Sequence, residues 1–244
     1  MSKLMRKKFE LTAECTITSF GIKVFRIKAL IGFGSVKAGE LGGFVEREDN
    51  LDQEGNAWVS GNAWVSGNAW VSGNARVSGN AWVSGNAGVA DNARVSGNTR
   101  VYGDAWVSGN ARVYGNTRVF GYARAFGNAR VYDDVGVYDN AGVSGNARVS
   151  GDTMVSGNAE ISGDARVSSN DDYVIIRGLG TEICIITFFR TKNKEIGVRR
   201  GCLYGTLAEF RREVKERHGN TKTAKEYLMI ADWIEFRFSE EVSE

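Results

Sequence analysis

The sequence predicts an all-β solenoid that is closed at each end by a cap of different character. Three observations predict it. A six-residue repeat runs from Gly55 to Val167, each repeat contains three residues that would point alternately into and out of a core, and each ends in residues typical of a turn. The 244 residues include 31 glycines and no proline, with 42% hydrophobic and 25% charged residues. This composition excludes collagen-like, disordered and membrane-spanning classes.

Each repeat follows the pattern Val-Ser-Gly-Asn-Ala-x, and its phase never slips. An aliphatic residue fills the same slot at every sixth position from Val59 to Val167, and a small residue precedes it by two positions. A small residue, a variable residue and a valine predict a short strand with one buried face. The Gly-Asn pair tolerates positive φ, so we expect a turn after every strand.

A turn of constant sense every six residues makes a coil. If three edges close one turn, three repeats form a triangular coil, and successive coils stack about 4.8 Å apart. Six coils would then give a shaft of about 30 Å, filled by valines and edged by asparagine ladders. We interpret the acidic residues of the repeats as asparagine substitutes at positive φ rather than catalytic pairs. They are Asp91, Asp104, Asp133, Asp134, Asp139, Asp152 and Asp164.

The repeats, residues 51–170, are flanked by two regions of different pattern. Residues 1–50 alternate weakly over Lys8–Ile17 and Ile22–Leu30 and then become glycine-rich, which predicts a small strand-rich cap. Residues 171–244 predict strands followed by two helices. Caps are expected because a bare coil would expose a full set of unpaired strand edges.

The C-terminal region carries clear signals for individual elements. Apolar runs and a turn predict three strands: Tyr173–Ile176, Ile183–Phe189 and Ile196–Arg199. The segment Thr206–Glu209 predicts a capping box that opens a helix, with Leu207, Phe210 and Val214 on one face and Gly219 past its end. A second helix is expected from Thr221 or Thr223 to about Phe238.

The units V-S-G-N-A-R and V-S-G-N-A-W resemble the hexapeptide repeat of left-handed parallel β-helices. The resemblance implies a left-handed coil, and such β-helices commonly form trimers. The flanks resemble a family of phage and prophage hexapeptide-repeat proteins in the following segments: Phe25–Leu30, Lys37–Glu46, Thr187–Lys192, Gly205–Leu207 and His218-Gly219. That resemblance spans essentially the whole chain and implies a phage or prophage protein, but no general activity.

Enzymatic activity is the least favoured interpretation of the sequence. Hexapeptide acyltransferases use a histidine on the solenoid wall and a loop that interrupts the coils. The single histidine, His218, lies outside the repeats at a predicted helix C-terminus, and the repeat phase leaves no insertion. The sequence predicts no cofactor and no metal site. An acyltransferase nevertheless remains one alternative.

The outward slot before each valine predicts an arginine-rich stripe. When these slots are sorted by the period of one coil, six of the nine repeat arginines fall on one face: Arg76, Arg94, Arg112, Arg130, Arg148 and Arg166. Arginine suits planar, bidentate contact with carboxylate or phosphate. The stripe is therefore interpreted either as a contact surface for an acidic partner or as a solvated face inherited by duplication.

Aromatic residues replace serine after the valine in the middle of the shaft. Tyr114 and Tyr132 are placed beside Arg112 and Arg130, whereas Tyr102, Phe120 and Tyr138 stack on the second face. Exposed aromatics among arginines are enriched at interfaces, so we expect burial against a partner. The alternative is a ladder that stabilises the sheet alone. In the first coil, Trp58, Trp64 and Trp70 are expected to form a girdle beneath the N-terminal cap.

The function expected from these features is a non-catalytic binding or assembly protein. Its preferred partner is another protein or its own copies, as a homotrimer; an anionic ligand such as a nucleotide or nucleic acid comes second. The second option includes a phage antagonist of a host defence factor or signal nucleotide. A cytoplasmic location is expected, because the three cysteines, Cys15, Cys184 and Cys202, lack C-x-x-C spacing and no secretory signal follows the basic residues 1–8.

Overall fold

The computed structural model describes residues 7–179, 184–201 and 203–239. Within them, an N-terminal antiparallel segment leads into a parallel β-solenoid of about seven turns, and an antiparallel sheet with two helices follows it. Ile183, Cys202 and residues 1–6, which figure in the sequence analysis, lie outside the described residues.

The N-terminal cap is built into the solenoid rather than placed on top of it. Strands β1 (Phe9–Ile17) and β2 (Lys23–Ala29) confirm the two predicted strands, and β3 (Leu41–Val45) is an additional one. Strand β3 pairs antiparallel with β2 and parallel with the solenoid strand at Trp64. It then leads into a 3-10 turn, Glu48–Asn50. The cap therefore extends one solenoid wall by three strands.

Glycines in β3 explain why the glycine-rich segment can join the wall. A Cβ atom on Gly42 would lie 2.5 Å from Ile27 Cγ1 and 2.7 Å from the Val59 carbonyl oxygen. A Cβ on Gly43 would lie 2.5 Å from the Ala63 carbonyl oxygen. Only a residue without a side chain allows β3 to pack this closely on the first coil.

The solenoid consists of strands β4–β22, which begin every six residues and form three parallel walls. The first wall contains Trp58–Val59, Arg76–Val77, Arg94–Val95, Arg112–Val113, Arg130–Val131, Arg148–Val149 and Arg166–Val167. The second wall contains Trp64–Val65, Trp82–Val83, Arg100–Val101, Arg118–Val119, Gly136–Val137 and Met154–Val155. The third wall contains Trp70–Val71, Gly88–Val89, Trp106–Val107, Arg124–Ala125, Gly142–Val143 and Glu160–Ile161.

The register shows that three six-residue units close each turn. Arg94 pairs with Arg76 on one side and with Arg112 on the other, so each partner lies three repeats away along the chain. Equivalent pairs run along all three walls, so the outward side chains of successive coils lie directly over one another. The valines and the alanines that precede them are fully buried in one continuous core.

The corners between walls turn at glycine, and this corrects the interpretation of the aspartates. Positive φ occurs at the glycine slot, where Asp91, Asp133 and Asp139 replace glycine. Asp104 and Asp164 replace asparagine at ordinary φ and accept hydrogen bonds from the amides of Asn86 and Asn146. The asparagine slot therefore forms side-chain ladders, as predicted, but it is not the residue that needs the left-handed conformation.

The most complete ladder follows the corner between the third and first walls. Six side-chain hydrogen bonds of 2.9–3.3 Å join seven residues: Asn56, Asn74, Asn92, Asn110, Asn128, Asn146 and Asp164. Asp164 ends this ladder and forms an ion pair of 2.7 Å with Lys192. The hydrogen bonds from Lys192 and Asn146 hold the pKa of Asp164 below its usual range.

Lys8 closes the N-terminal end of the core. Its Nζ donates to the carbonyl oxygens of Glu54 and Ala57 at 3.0 and 3.1 Å, and it lies 5.0 Å from the centre of the Phe33 ring. Burial lowers the pKa of Lys8 to about 8, although the Asp52 carboxylate acts in the opposite direction. The side chain satisfies carbonyl groups that no preceding coil is present to bind.

The C-terminal unit has a core of its own. Its sheet contains β23 (Tyr173–Leu179), β24 (Cys184–Arg190), β25 (Ile196–Arg200) and β26 (Leu203–Thr206), and helices α1 (Leu207–His218) and α2 (Lys222–Phe238) follow. The capping box at Thr206 and Glu209 and the predicted buried face of α1 are confirmed. Among the described residues, no helix is both long and apolar enough to cross a membrane.

Candidate functional site

The arginine stripe exists as a ladder along the first wall. In-register pairing places Arg76, Arg94, Arg112, Arg130, Arg148 and Arg166 in six successive coils. Each arginine precedes a fully buried valine of the same wall, so the alternation of the strand directs the guanidinium outward. We call this set the arginine ladder.

The middle of the arginine ladder forms no ion pair with the part of the chain that the structure describes. Over residues 7–179, 184–201 and 203–239, no carboxylate oxygen lies within 4.0 Å of the guanidinium groups of Arg94, Arg112, Arg130 or Arg148. The two ends differ from the middle: Arg76 donates to Ser35 Oγ at 2.6 Å, and Arg166 donates to the carbonyl oxygen of Ala165 at 2.8 Å.

Two tyrosines stand beside the ladder at the corner between the first and second walls. The rings of Tyr114 and Tyr132 are stacked with centroids 5.1 Å apart and planes inclined by 5°. They follow the valines next to Arg112 and Arg130, so the tyrosines and these arginines form one surface, as the sequence predicts. Exposed aspartates at positions 133, 134 and 152 lie on the same corner.

The second set of aromatics forms a column at the corner between the second and third walls. Tyr102, Phe120 and Tyr138 stack with centroid distances of 4.9 and 5.1 Å, and Trp82 continues the column at 6.5 Å. These rings are half-buried, because each covers the face of the next. The stacking fits the alternative of a ladder that stabilises the sheet, and burial of these rings against a partner stays a prediction.

The predicted tryptophan girdle is only partly formed beneath the cap. Trp58 is 2% exposed and packs edge-on against Phe9 and Phe33. Trp64 instead stacks on Trp82 one coil away, and Trp70 contacts Trp106 two coils away. Side chains of later coils attract these two indoles along their own walls, an effect that the position of the first coil alone does not reveal.

The single histidine lies in the C-terminal unit. The ring of His218 lies 5.7 Å from the Tyr227 ring, and no partner for its Nε2 atom is present in the described part of the chain. Nor does any group of three or more His, Cys, Asp or Glu side chains there have an arrangement that would hold a metal ion.

Sequence reasoning missed a concave region on the third wall. Two cavities of about 320 and 400 Å³ lie there and share Arg124 and Phe126. Gly142 and Tyr122 both line the smaller one. The available signal was in the repeat itself, because Tyr122 replaces asparagine and Gly142 replaces the usual large outward residue.

Comparison with known proteins supports the solenoid and adds no activity. The model of a family described as the YdcK beta solenoid repeat matches residues 57–73, 69–85, 93–109, 105–121 and 141–157. All five segments lie within the three-walled solenoid. No curated protein matches the chain. The chain is therefore similar, in its repeats, to a family of β-solenoids.

Proposed function

We propose that this protein is a non-catalytic binding or assembly module that contacts an acidic protein surface through the arginine ladder, Tyr114 and Tyr132. The observation that carries the proposal is the set of four outward arginines without a carboxylate partner in the described chain. Two guanidinium groups one coil apart repel by about 0.9 kcal/mol in water, and by less in salt. A partner's carboxylates would relieve this repulsion and bind each guanidinium through two hydrogen bonds.

The aromatic geometry favours a protein partner over a nucleotide. A base stacks on an open ring face, but Tyr114 and Tyr132 already cover each other's inner faces. Their edges and hydroxyl groups remain available beside the arginines. Tyrosine and arginine together are the residue types most enriched at the energetic centres of protein interfaces.

Self-association is the first form of this proposal. Contacts around a three-fold axis are heterologous, so the arginine ladder of one copy would face a different surface of the next. The corner that carries Asp133, Asp134 and Asp152 offers an acidic surface of suitable charge. We propose a homotrimer on this basis, together with the trimeric habit implied by the resemblance to hexapeptide β-helices.

The absence of a catalytic role is also a proposal, and two features support it. The solenoid strands begin at six-residue intervals from Trp58 to Arg166, so no loop interrupts them to shape an acceptor pocket. His218, the residue that an acyltransferase mechanism would need, belongs to α1 in the C-terminal unit. Left-handedness, membership of the hexapeptide class, phage or prophage origin and a cytoplasmic location rest on the sequence resemblance and the cysteine pattern.

A second candidate is an anionic ligand such as a signal nucleotide or nucleic acid, as expected of a phage antagonist of host defence. The regular spacing of guanidinium groups along the first wall favours it, because arginine binds phosphate as well as carboxylate. The two candidates predict binding to different probes: a protein partner would be mimicked by acidic side chains, whereas the second candidate requires a phosphate-bearing ligand.

The test is the double variant R112E/R130E, compared with R100E/R118E on the second wall, which changes the net charge equally. Light scattering at 50 mM and 500 mM salt reports self-association, and anisotropy with labelled poly-aspartate and with single-stranded DNA reports anion binding. We expect wild type and the second-wall variant to assemble or to bind poly-aspartate, and R112E/R130E to lose at least tenfold in affinity with its thermal transition intact.

Three outcomes would count against the proposed function. Equal loss in both double variants would indicate a response to net charge rather than to the arginine ladder. Binding of DNA but not of poly-aspartate, lost selectively in R112E/R130E, would favour the second candidate instead. A wild-type protein that is monomeric at both salt concentrations and binds neither probe would leave the ladder as a solvated face.

A further inference from the structure

The outward glycines of the solenoid differ in what covers them. A Cβ on Gly88 would lie 2.9 Å from the Trp106 ring, and one on Gly136 would lie 2.7 Å from Met154 Sδ. Gly142 is different: apart from its chain neighbours, no described atom lies within 4 Å of its Cβ position. Two of these glycines therefore accommodate a large neighbour. The third leaves a gap in the outer surface of the third wall, which we call the Gly142 slot.

Residues that depart from the repeat pattern cluster around the Gly142 slot. Tyr122 occupies an asparagine slot, Phe126 a serine slot and Ala125 the aliphatic slot that holds valine in most other units. These three residues and Gly142 lie in two adjacent coils of the third wall. Local rules are broken mainly where function requires it, so the cluster favours a site over neutral variation.

Tyr122 also interrupts a structural ladder. At its corner, Asn68 donates to Asn86 and Asn86 donates to Asp104, whose carboxylate has no amide to donate further. Tyr122 follows in the next coil and supplies no side-chain amide donor toward Asn140. The side chain of Tyr122 is 64% exposed, so it gains little burial in return for the lost amide hydrogen bond. A ligand that stacks on the ring would account for this choice.

The slot has the size of a small-molecule site. A cavity of about 320 Å³ surrounds Gly142, and a neighbouring one of about 390 Å³ reaches strands β24 and β25. In the coil before Gly142, Tyr122 and Phe126 flank Arg124 on the third wall. In the coil of Gly142 itself, Asn140 and Ser144 flank the glycine. The lower number is at the small end of the range for ligand pockets.

Charges of opposite sign stand above and below the slot. Arg124 is exposed, and within the described ranges no carboxylate oxygen lies within 4.0 Å of its guanidinium. Glu160, two coil spacings away, accepts a hydrogen bond of 2.7 Å from Arg199 Nε, which fixes its carboxylate at the lower rim. The upper rim therefore favours an anionic group, whereas the lower rim can accept hydrogen bonds from hydroxyls.

The geometry points to an anionic monosaccharide, a sugar ring that carries one carboxylate or phosphate, as the ligand of the Gly142 slot. The anionic group would bind Arg124, the ring would lie against Tyr122 or Phe126, and hydroxyls would donate to Asn140, Ser144 and Glu160. A polyphosphate fits less well, because Arg124 is the one arginine in the described lining of this cavity without a carboxylate partner within 4.0 Å, which suits a single anionic group. This site lies on a different wall from the arginine ladder and does not depend on the proposed function.

The inference is tested with defined probes by calorimetry and by NMR of the amides in residues 120–144. Glucuronate and glucose 6-phosphate distinguish carboxylate from phosphate, while glucose and benzoate each lack one half of the proposed chemistry. A ligand of this size is expected to bind with a dissociation constant of about 1 mM or lower. We expect at least one of the two anionic sugars to bind about tenfold more tightly than glucose and benzoate.

The variant G142W fills the slot, and R118W, which adds the same side chain to the second wall, is its matched control. G142W should abolish binding with an unchanged thermal transition, and R118W should bind like wild type. R124A should remove the preference for an anionic sugar over glucose. The inference is overturned if neither anionic sugar binds wild type at 10 mM, if benzoate binds equally well, or if G142W retains wild-type affinity.

Discussion

The first and third walls of the solenoid share an interior and differ completely outside. Behind both, the valines and alanines of successive coils fill the same fully buried slots. On the outer side, six consecutive coils of the first wall carry arginine, whereas the third wall presents Trp70, Gly88, Trp106, Arg124, Gly142 and Glu160. One wall repeats the same outward residue, and the other varies from coil to coil and holds cavities.

The difference shows how a repeat protein can separate stability from recognition. The interior slot is constrained because every coil must fill the same triangular section at close-packed density. The outward slot is free of this constraint, so repetition can build a periodic charged surface on one wall and deletion of a side chain can build a cavity on another. The first wall suits an extended partner, and the third suits a small ligand.

The largest expected effect is the loss of stability in G88L, because Gly88 is covered by neighbouring side chains whereas Gly142 faces open space. The side chain introduced in G88L would collide with the Trp106 ring at 2.9 Å and with Trp70 at 3.3 Å, so we expect a loss of about 2 kcal/mol in the free energy of unfolding. The same substitution at Gly142 meets open space and should change stability by less than about 0.5 kcal/mol. Urea denaturation of both variants measures the difference.

Neither glycine has positive φ, so backbone strain does not enter the comparison. Equal destabilisation by G88L and G142L would mean that the slot is not open in solution, and it would remove the basis for a ligand there.

The sequence predicts the shared interior well and the differing exteriors poorly. The constant phase from Val59 to Val167 fixes which residues are buried, and the pairing of Arg94 with Arg112 shows that one turn spans three repeats. The exterior depends on contacts between coils: whether a glycine such as Gly88 or Gly142 is covered is decided by the rotamers of neighbours in the adjacent coil. No periodicity encodes those rotamers.

The two caps show the same limit. The capping box at Thr206 and the apolar face of α1 are local signals, and both are confirmed. Strand β3 was missed because the pair Gly42-Gly43 reads as a loop, although close packing on the first coil requires those glycines. Strand β26 is four residues long and leads directly into α1, so its pattern is too short to distinguish from the helix cap.

On the first wall, a smaller change in stability is expected when one arginine of the ladder is replaced by glutamate. R112E would replace repulsion from Arg94 and Arg130 with attraction, so we expect the free energy of unfolding to rise by up to about 1 kcal/mol at low salt. The gain should fall as salt increases, because these groups are solvent-exposed. Denaturation at 20 mM and 500 mM salt measures it. A loss of stability in R112E would indicate that the ladder has counter-charges within the protein and needs no partner.

The smallest expected change in the free energy of unfolding tests whether Tyr122, on the irregular third wall, lowers the stability of the solenoid. Y122N restores the repeat residue and allows its amide to donate to Asn140, as Asn110 donates to Asn128 at another corner. One partly exposed hydrogen bond should raise the free energy of unfolding by about 0.5 kcal/mol. The same variant should weaken binding of the anionic sugar, because the ring face is lost. A rise in stability with weaker binding would identify Tyr122 as a recognition residue, since a residue kept for folding would show the opposite change in stability.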